Sequence, residues 1–583
     1  MTNRAAGEIH KAGGILQQTY GETVASAYGL VFYQKSDGKL YRAKADAEAT
    51  VSGVLYICVD AATVINTVGN ALAQGRVEKT GWSWTIGGQI YVSPTTAGGL
   101  TQTVPSGTNK IRPVGFATAA AQIDFRPLWG SGSTYAVDIS GITAAQGDLL
   151  VRSATAWGAV NPGPAGTMLS SNGPGVAPSW RYPGAYEVVG IEWDTLSTSP
   201  TVTRIDANGN ELGALPAGFF DVHPIWGGRW RCVRDRATGA ITYGTNARGD
   251  GLTLDGTAGD VLVRKPLYYA RHEFDDDTDL ARYWVSPTAR PGFAAHPYWY
   301  MRGEGVLASE MFGGAYESYG YLDGSTFKLG SATGKTPVTG GVAYPDLPNA
   351  GRLHINDAEA YANNVAPGFG CESFWGYCAD QLLMYIEYGS LDIQTALAKG
   401  VVDLASGVDF AGKLTGADGI DALLAENGTG VGSGLNGQTP VCWRGIENPY
   451  GNVWKFIIGA NTYLDGTYRL IRRDGLGTLA GTLAEGSYES GAGLPLADGY
   501  VSGLLHGEPA GLAFLPSAAA GSDSSYLADY WYACTADGNI LMAGGRWGTA
   551  RIAGPGCRGA DYGPTNSYRN FGARLEFRPP QGV

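Results

Sequence analysis

Short apolar runs broken by glycine-, aspartate- and proline-containing turns dominate the N-terminal part of the chain. Residues 30–33 (LVFY) and 40–43 (LYRA) flank the turn 36–39 (SDGK), which is a hairpin signal. Further strands are expected at 54–59, 81–86, 90–93, 114–117 and 124–127, spaced as in a compact all-β module. The polar-to-mixed stretch 1–23 before them reads as an attachment segment, with a frayed terminus as the plain alternative. After the flexible 130–133 (GSGS), residues 147–180 hold too few apolar positions to bury a core alone.

The pattern changes again beyond residue 183. Residues 185–193 (AYEVVGIEW) and 202–205 read as strands, with 206–209 (DANG) as a turn. Residues 356–363 (NDAEAYAN) read as a short helix. Over 373–388, Trp375, Cys378, Leu382, Tyr385 and Ile386 recur at three- and four-residue spacing, so a helix is expected, stopped by Gly389. A further short helix is expected over 391–399, ending at Gly400. Residues 401–439 and 475–525 are glycine-rich excursions and read as insertions. Leu575, Glu576 and Phe577 alternate as a last strand would.

The stretch 544–574, GGRWGTARIAGPGCRGADYGPTNSYRNFGAR, keeps neither period in its middle. It reads as a long surface loop pinned at both ends, and a loop of that length is usually functional or disordered. Gly544, Gly545, Trp547, Gly572, Ala573 and Arg574 are its expected scaffold. Thr549, Arg551, Ile552, Arg558, Asp561, Tyr562, Tyr568 and Arg569 are its expected contacts, since Tyr and Arg carry much of the energy at interfaces.

Composition agrees with a β-rich, loop-rich chain. Of 583 residues 89 are glycine, roughly twice the usual share, and only 16% are charged. Net charge is −12 and no basic stripe is present, which argues against nucleic-acid binding. Seven dispersed cysteines without a CxxC do not suggest a disulfide framework and fit synthesis in a reducing host cytoplasm. No apolar run is long enough for a membrane span, and no secretory signal opens the chain.

GGRW, an irregular middle and GARLEF resemble the variable region of the bacteriophage receptor-binding proteins diversified by retroelements. GIENPYGNVW (445–454) strengthens the likeness, because an ENP(F/Y)GN(V/I)W stretch precedes that region in the family. The resemblance implies a C-type lectin-like fold and variable codons that arise by substitution at template adenines. Such substitution does not yield Lys, Glu, Gln, Met or Trp, and none of these occurs over 548–571. An undiversified glycine-rich loop is the alternative. Residues 90–117 resemble small β modules of phage tail and head-decoration proteins, and 147–180 resemble short phage-fibre segments. The latter implies packing between chains, as in a homotrimer.

Calcium-dependent lectins use Glu-Pro-Asn or Gln-Pro-Asp with Trp-Asn-Asp; Glu447-Asn448-Pro449 has another order, so a structural role is expected. The acidic run 275–279 reads as a solvated loop. Six dispersed histidines form no zinc-ligand spacing, so no metal or cofactor is expected. Formylglycine-generating enzymes share the implied fold, but Cys534 and Cys557 have no pattern of a reactive pair. Trp284, Tyr298, Trp299, Tyr300 and Tyr316 read as core or interface packing, with a sugar-stacking platform as the other possibility.

The expected fold is β-rich and multidomain. It comprises an attachment segment (1–23), an N-terminal all-β barrel-like module (24–129), a short β linker module (130–182) and a C-terminal α+β C-type lectin-like domain with insertions (183–583). The expected function is that of a phage tail-fibre or tail-tip adhesin in the virion, non-enzymatic. Its expected partners are a host-surface receptor, other tail proteins and two further copies of itself, with no nucleic acid and no membrane insertion. A virion structural or head-decoration fibre and a glycan-degrading fibre enzyme are the alternatives.

Overall fold

The computed structural model describes residues 15–51, 53–127, 149–152, 157–160, 168–170, 179–181, 187–341, 344, 347–404, 412–416, 429–431, 436–483, 486–507 and 509–580. Residues 1–14 of the expected attachment segment, the 130–133 linker and most of 401–439 therefore lie outside the described residues. Contacts divide the chain into two units, Met1–Asn161 and Pro162–Val583.

The first unit holds two five-stranded antiparallel sheets over a shared core. The expected hairpin is Val31–Gln34 with Leu40–Arg42. Val31, Leu55 and Ile57 from one sheet meet Val77, Ile90, Val114, Ile123 and Phe125 from the other. One expected strand is absent. Residues 81–86 join no ladder and lie between turns at 81 and 86–87; the strands before them are Val68–Leu72 in one sheet and Gly75–Glu78 in the other. Gly81 and Gly87 both take positive φ, 93° and 80°, which bends the chain at each end of that stretch. The alternation there only places Trp82 and Trp84 against the core.

In the second unit the helix Phe374–Tyr388 is the centre. Ser373 caps it by accepting from the Gly376 N–H at 3.1 Å, and Gly389 at φ 61° ends it. Its spacing predicts one apolar face, yet every residue from Phe374 to Ile386 is buried. The reason is packing from several directions. Val189–Asp194 of a five-stranded sheet and Trp454–Thr462 of an eight-stranded sheet both meet it. Its polar positions are matched by buried partners, as a helix with no wet face requires. Asp380 pairs with Arg229 at 3.0 Å and Lys265 at 2.8 Å. Burial alone would raise the Asp380 carboxyl; Arg229 and Lys265 outweigh it and hold it below its ordinary range.

The other expected elements are present in shortened form: Val189–Asp194, Thr203–Ile205, Ile355–Asn363 and Leu575–Phe577. The helix expected over 391–399 is the single turn Ile393–Ala396. Among the described residues no helix is long and apolar enough to cross a membrane.

Candidate functional site

The chain end 544–574 is three pieces, and the expectation of one long loop is corrected here. Residues 545–553 make a tight turn, Gly554–Tyr562 is a nine-residue strand, and 563–570 return over the surface. The strand lies inside the eight-stranded sheet, between Asn539–Gly544 and Tyr530–Tyr532. Residues 554–560 are buried. Periodicity misses the strand because glycine, proline and alanine there carry no alternating apolar signal; backbone pairing and packing make it instead.

Asp529 explains why those glycines stand where they do. Its carboxylate is buried and accepts the Gly556 N–H at 2.6 Å. A β-carbon on Gly554 would sit 1.8 Å from Asp529 Oδ1, and one on Gly556 would sit 2.7 Å from Oδ2. Burial pushes the Asp529 carboxyl well above its ordinary range. Arg558, expected as a surface contact, is wholly buried. It donates to Pro555 O at 2.7 Å and to Gln381 Oε1, and its guanidinium lies over the Tyr377 ring at 4.7 Å. It ties the strand to the central helix and offers nothing to a partner molecule.

Thr549 also leaves the contact set. Its hydroxyl accepts the Arg546 N–H at 3.0 Å and donates to Arg546 O at 2.7 Å, so it is buried within the turn. Arg551 is half-exposed but engaged with Asp392 Oδ2 at 2.7 Å and Asp523 O at 2.6 Å. Ile552, Asp561 and Tyr562 are half-buried, while Tyr568 and Arg569 are exposed. Of the scaffold residues, Gly544 and Gly545 adopt φ 88° and 76°, and a β-carbon on Gly545 would meet Ala553 Cβ at 2.7 Å. Trp547 packs on Val401 and Val453. Gly572 faces Val453, where a β-carbon would approach to 2.8 Å, and Ala573 is buried. Arg574, also buried, donates to Gly314 O, Glu447 O and Asn448 O at 2.7–2.9 Å. The ENPYGN segment is thus held from the chain end. Glu447 further accepts from the Gly416 N–H at 2.9 Å.

The surface that these residues share is rich in tyrosine. Strand alternation puts Tyr530 and Tyr532 on one face and Trp531 on the other, within the helix-side core. Tyr500 meets Tyr530 at 5.1 Å, Tyr530 meets Tyr532 at 4.9 Å, and Tyr532 meets Trp454 at 5.9 Å, between ring centroids. Trp454 reaches across two strands to lie beside Gly559, where a β-carbon would make ordinary contact with its ring at 3.6 Å. Tyr562 and Tyr568 pack on each other at 5.3 Å and both on Phe571, at 4.9 and 5.1 Å. Ile552 rests on the same cluster. Arg546, half-exposed, faces Tyr532 and Tyr562. Burial, reinforced by Asp498, raises the Asp561 carboxyl to about 6. Tyr500, Tyr530, Tyr532 and Arg546 were not singled out from sequence. The YWY triplet was the available signal, since two tyrosines two apart share a strand face.

Other sequence candidates resolve by burial. Trp284, Tyr298, Trp299 and Tyr316 are buried, which removes a sugar-stacking platform built from them; Tyr300 is half-buried. The acidic run is the turn of the hairpin Tyr269–Asp275 and Leu280–Ser286, with Asp275 accepting from the Asp277 N–H at 3.0 Å. Cys557 is buried and its thiol pushed well up by that burial, while Cys534 lies half-exposed. Two distant histidines do meet, His272 Nε2 and His506 Nδ1 at 3.2 Å, and burial lowers both to about 4.

No protein family matches the chain, and no curated protein matches it. It is similar to a solved structure titled Major Tropism Determinant U1 variant. Identity there is 13%, over 60% of this chain and 71% of that one, with a TM-score of 0.21. A second, titled Major Tropism Determinant P3c variant, also shows 13% identity and a TM-score of 0.21, over 70% of this chain and 91% of that one. Likenesses of this depth establish neither fold nor function for this chain.

Proposed function

We propose that the chain is a receptor-binding protein of a bacteriophage tail fibre or tail tip, and that the tyrosine face of its second unit contacts a molecule on the host surface. The observation that carries this reading is the face itself: five half-exposed or exposed tyrosines seated on buried Trp454, Phe456 and Phe571. Tyrosine supplies wide amphipathic contact area and loses little conformational entropy when ordered. Residues 563–570 lie at the edge of the face outside the strands, and the exposed Thr565, Tyr568 and Arg569 among them change with little effect on the core, whereas Ser567 Oγ accepts the Leu353 N–H at 2.9 Å and is held. Recognition, without bond-making chemistry, is what such a surface offers. In this reading the first unit joins other virion proteins, the chain is a homotrimer, and several copies turn modest affinity into firm attachment.

The reading also narrows where diversification by a retroelement would be tolerated. Within 561–570 the exposed Thr565, Tyr568 and Arg569 are the permissive positions, whereas 554–560 are fixed by Asp529 and the sheet and Ser567 by the Leu353 N–H. The test is binding of purified protein to host cells. Tyr562→Ala combined with Tyr568→Ala should lower cell-bound protein at least about tenfold while the chain stays folded, losing about 1–3 kcal/mol from the contacts on Phe571. Full binding by that variant and by Tyr530→Ala/Tyr532→Ala would refute the assignment of the face. A near-copy of the last coding segment, differing at adenines and lying beside a reverse transcriptase gene, would support diversification of 561–570.

A further inference from the structure

We propose that the outer face of the five-stranded sheet in the second unit carries a separate site for a carboxylate-bearing, monosaccharide-sized ligand, an acidic sugar. A cavity of about 370 Å³ opens there, lined by Arg271, Glu273, Arg282, Trp284 and the turn at Ala207, Asn208 and Gly209. That volume is at the small-ligand end of the usual range, about 300–1,000 Å³.

Register builds the lining. Arg271 stands opposite Trp284 and Glu273 opposite Arg282, and the next strand sets Glu192 opposite Arg282. The intervening Ala270, Tyr283 and Val285 point into the core. Each wall is held before any ligand arrives. The Arg271 guanidinium lies over the Trp284 ring at 4.5 Å and donates through Nε to Glu273 Oε1 at 2.8 Å. Trp284 Nε1 donates to Asp206 O at 2.8 Å, and Asp206 Oδ1 accepts from the N–H groups of Asn208 and Asn210 at 2.8 and 2.9 Å. Arg282 is fixed by its Nε on Glu192.

These ties leave donors and acceptors unused. Among the described residues, Nη1 of Arg271, both terminal nitrogens of Arg282 and Oε2 of Glu273 have no protein partner. The Nη1/Nη2 edge of Arg282 is a planar fork that matches a carboxylate in bidentate fashion. Arg271 is balanced by Glu273 and Arg282 by Glu192, so it is the free Arg282 fork, not net charge, that selects a planar carboxylate over a neutral sugar or a phosphate dianion. Glu273 Oε2 would repel a bare anion but accepts from a hydroxyl, and the exposed Asn208 amide donates to or accepts from another. A ligand with one carboxylate and several hydroxyls uses all of these groups.

The test uses the full chain, with D-glucuronate, D-glucose and inorganic phosphate as probes in saturation-transfer NMR and calorimetry. Glucuronate should bind in the millimolar range or tighter, with glucose and phosphate at least about tenfold weaker. Arg282→Gln and Arg282→Lys should each weaken glucuronate by about tenfold, since Lys keeps the charge and loses the fork. If Arg282→Gln folds poorly, Asn208→Ala, at an exposed turn position, should still cost about threefold or more. No glucuronate binding at about 20 mM, equal binding of glucose, or affinity unchanged in the folded variants would overturn the proposal. The tyrosine-face variants should leave glucuronate binding intact, so the two sites fail or stand separately.

Discussion

Arg558 separates a surface reading of the chain end from a buried one. The substitution Arg558→Ala removes donors from Pro555 O, at 2.7 Å, from Cys557 O, at 3.2 Å, and from Gln381 Oε1, around a side chain buried from solvent. Each orphaned acceptor costs about 1–3 kcal/mol. Loss of the guanidinium over Tyr377, at 4.7 Å, adds about 0.5–2 kcal/mol. Relief from burying a charge offsets part of this, so the expected net loss is about 3–5 kcal/mol. That would lower the melting temperature of the second unit by several degrees, followed by tryptophan fluorescence and calorimetry on the full chain. Tyr568→Ala, at a residue 47% exposed, is the matched control and should stay within about 1 kcal/mol. An Arg558→Ala protein that melts with the wild type yet no longer binds host cells would refute the buried tie and restore Arg558 to the contact surface.

Glycine positions in the same strand should differ sharply. Gly556→Ala would drive a β-carbon to 2.7 Å from Asp529 Oδ2 and 2.9 Å from Tyr385 Oη, and should destabilise by about 1–3 kcal/mol in denaturant titration; Gly559→Ala meets nothing nearer than 3.3 Å and should cost under about 1 kcal/mol beyond the intrinsic propensity difference. The raised Asp561 carboxyl, about 6, makes the folded state favour the protonated form, so its contribution to stability is present at low pH and is lost as pH rises through 6. Asp561→Asn should therefore gain melting temperature relative to wild type between pH 5 and 7.5, and a difference that does not change with pH would contradict this. Arg551→Ala should loosen the Asp392 and Asp523 contacts by about 1 kcal/mol while host-cell binding persists; loss of binding at unchanged stability would return Arg551 to the contact set.

Sequence alone determined the elements whose cause is local. The hairpin Val31–Gln34/Leu40–Arg42 follows from alternation around an Asp-Gly turn. The helix Phe374–Tyr388 follows from its period, its serine cap and its glycine stop, all written within sixteen or so residues. The stiff flanks of the chain end were legible too, because Gly544-Gly545-Trp547 and Gly572-Ala573-Arg574 advertise close approach and packing. The middle of that stretch was not. Whether Gly554–Tyr562 is loop or strand depends on Asp529, Gln381 and Tyr377, residues 25 to 181 positions away that no local period reports. The same holds for the tyrosine face and for the Arg271–Arg282 cavity: each gathers side chains from strands and turns that meet only when sheets form. Local pattern fixes which backbone shape a segment prefers, but exposure is a property of what covers it, and only the folded chain supplies the cover.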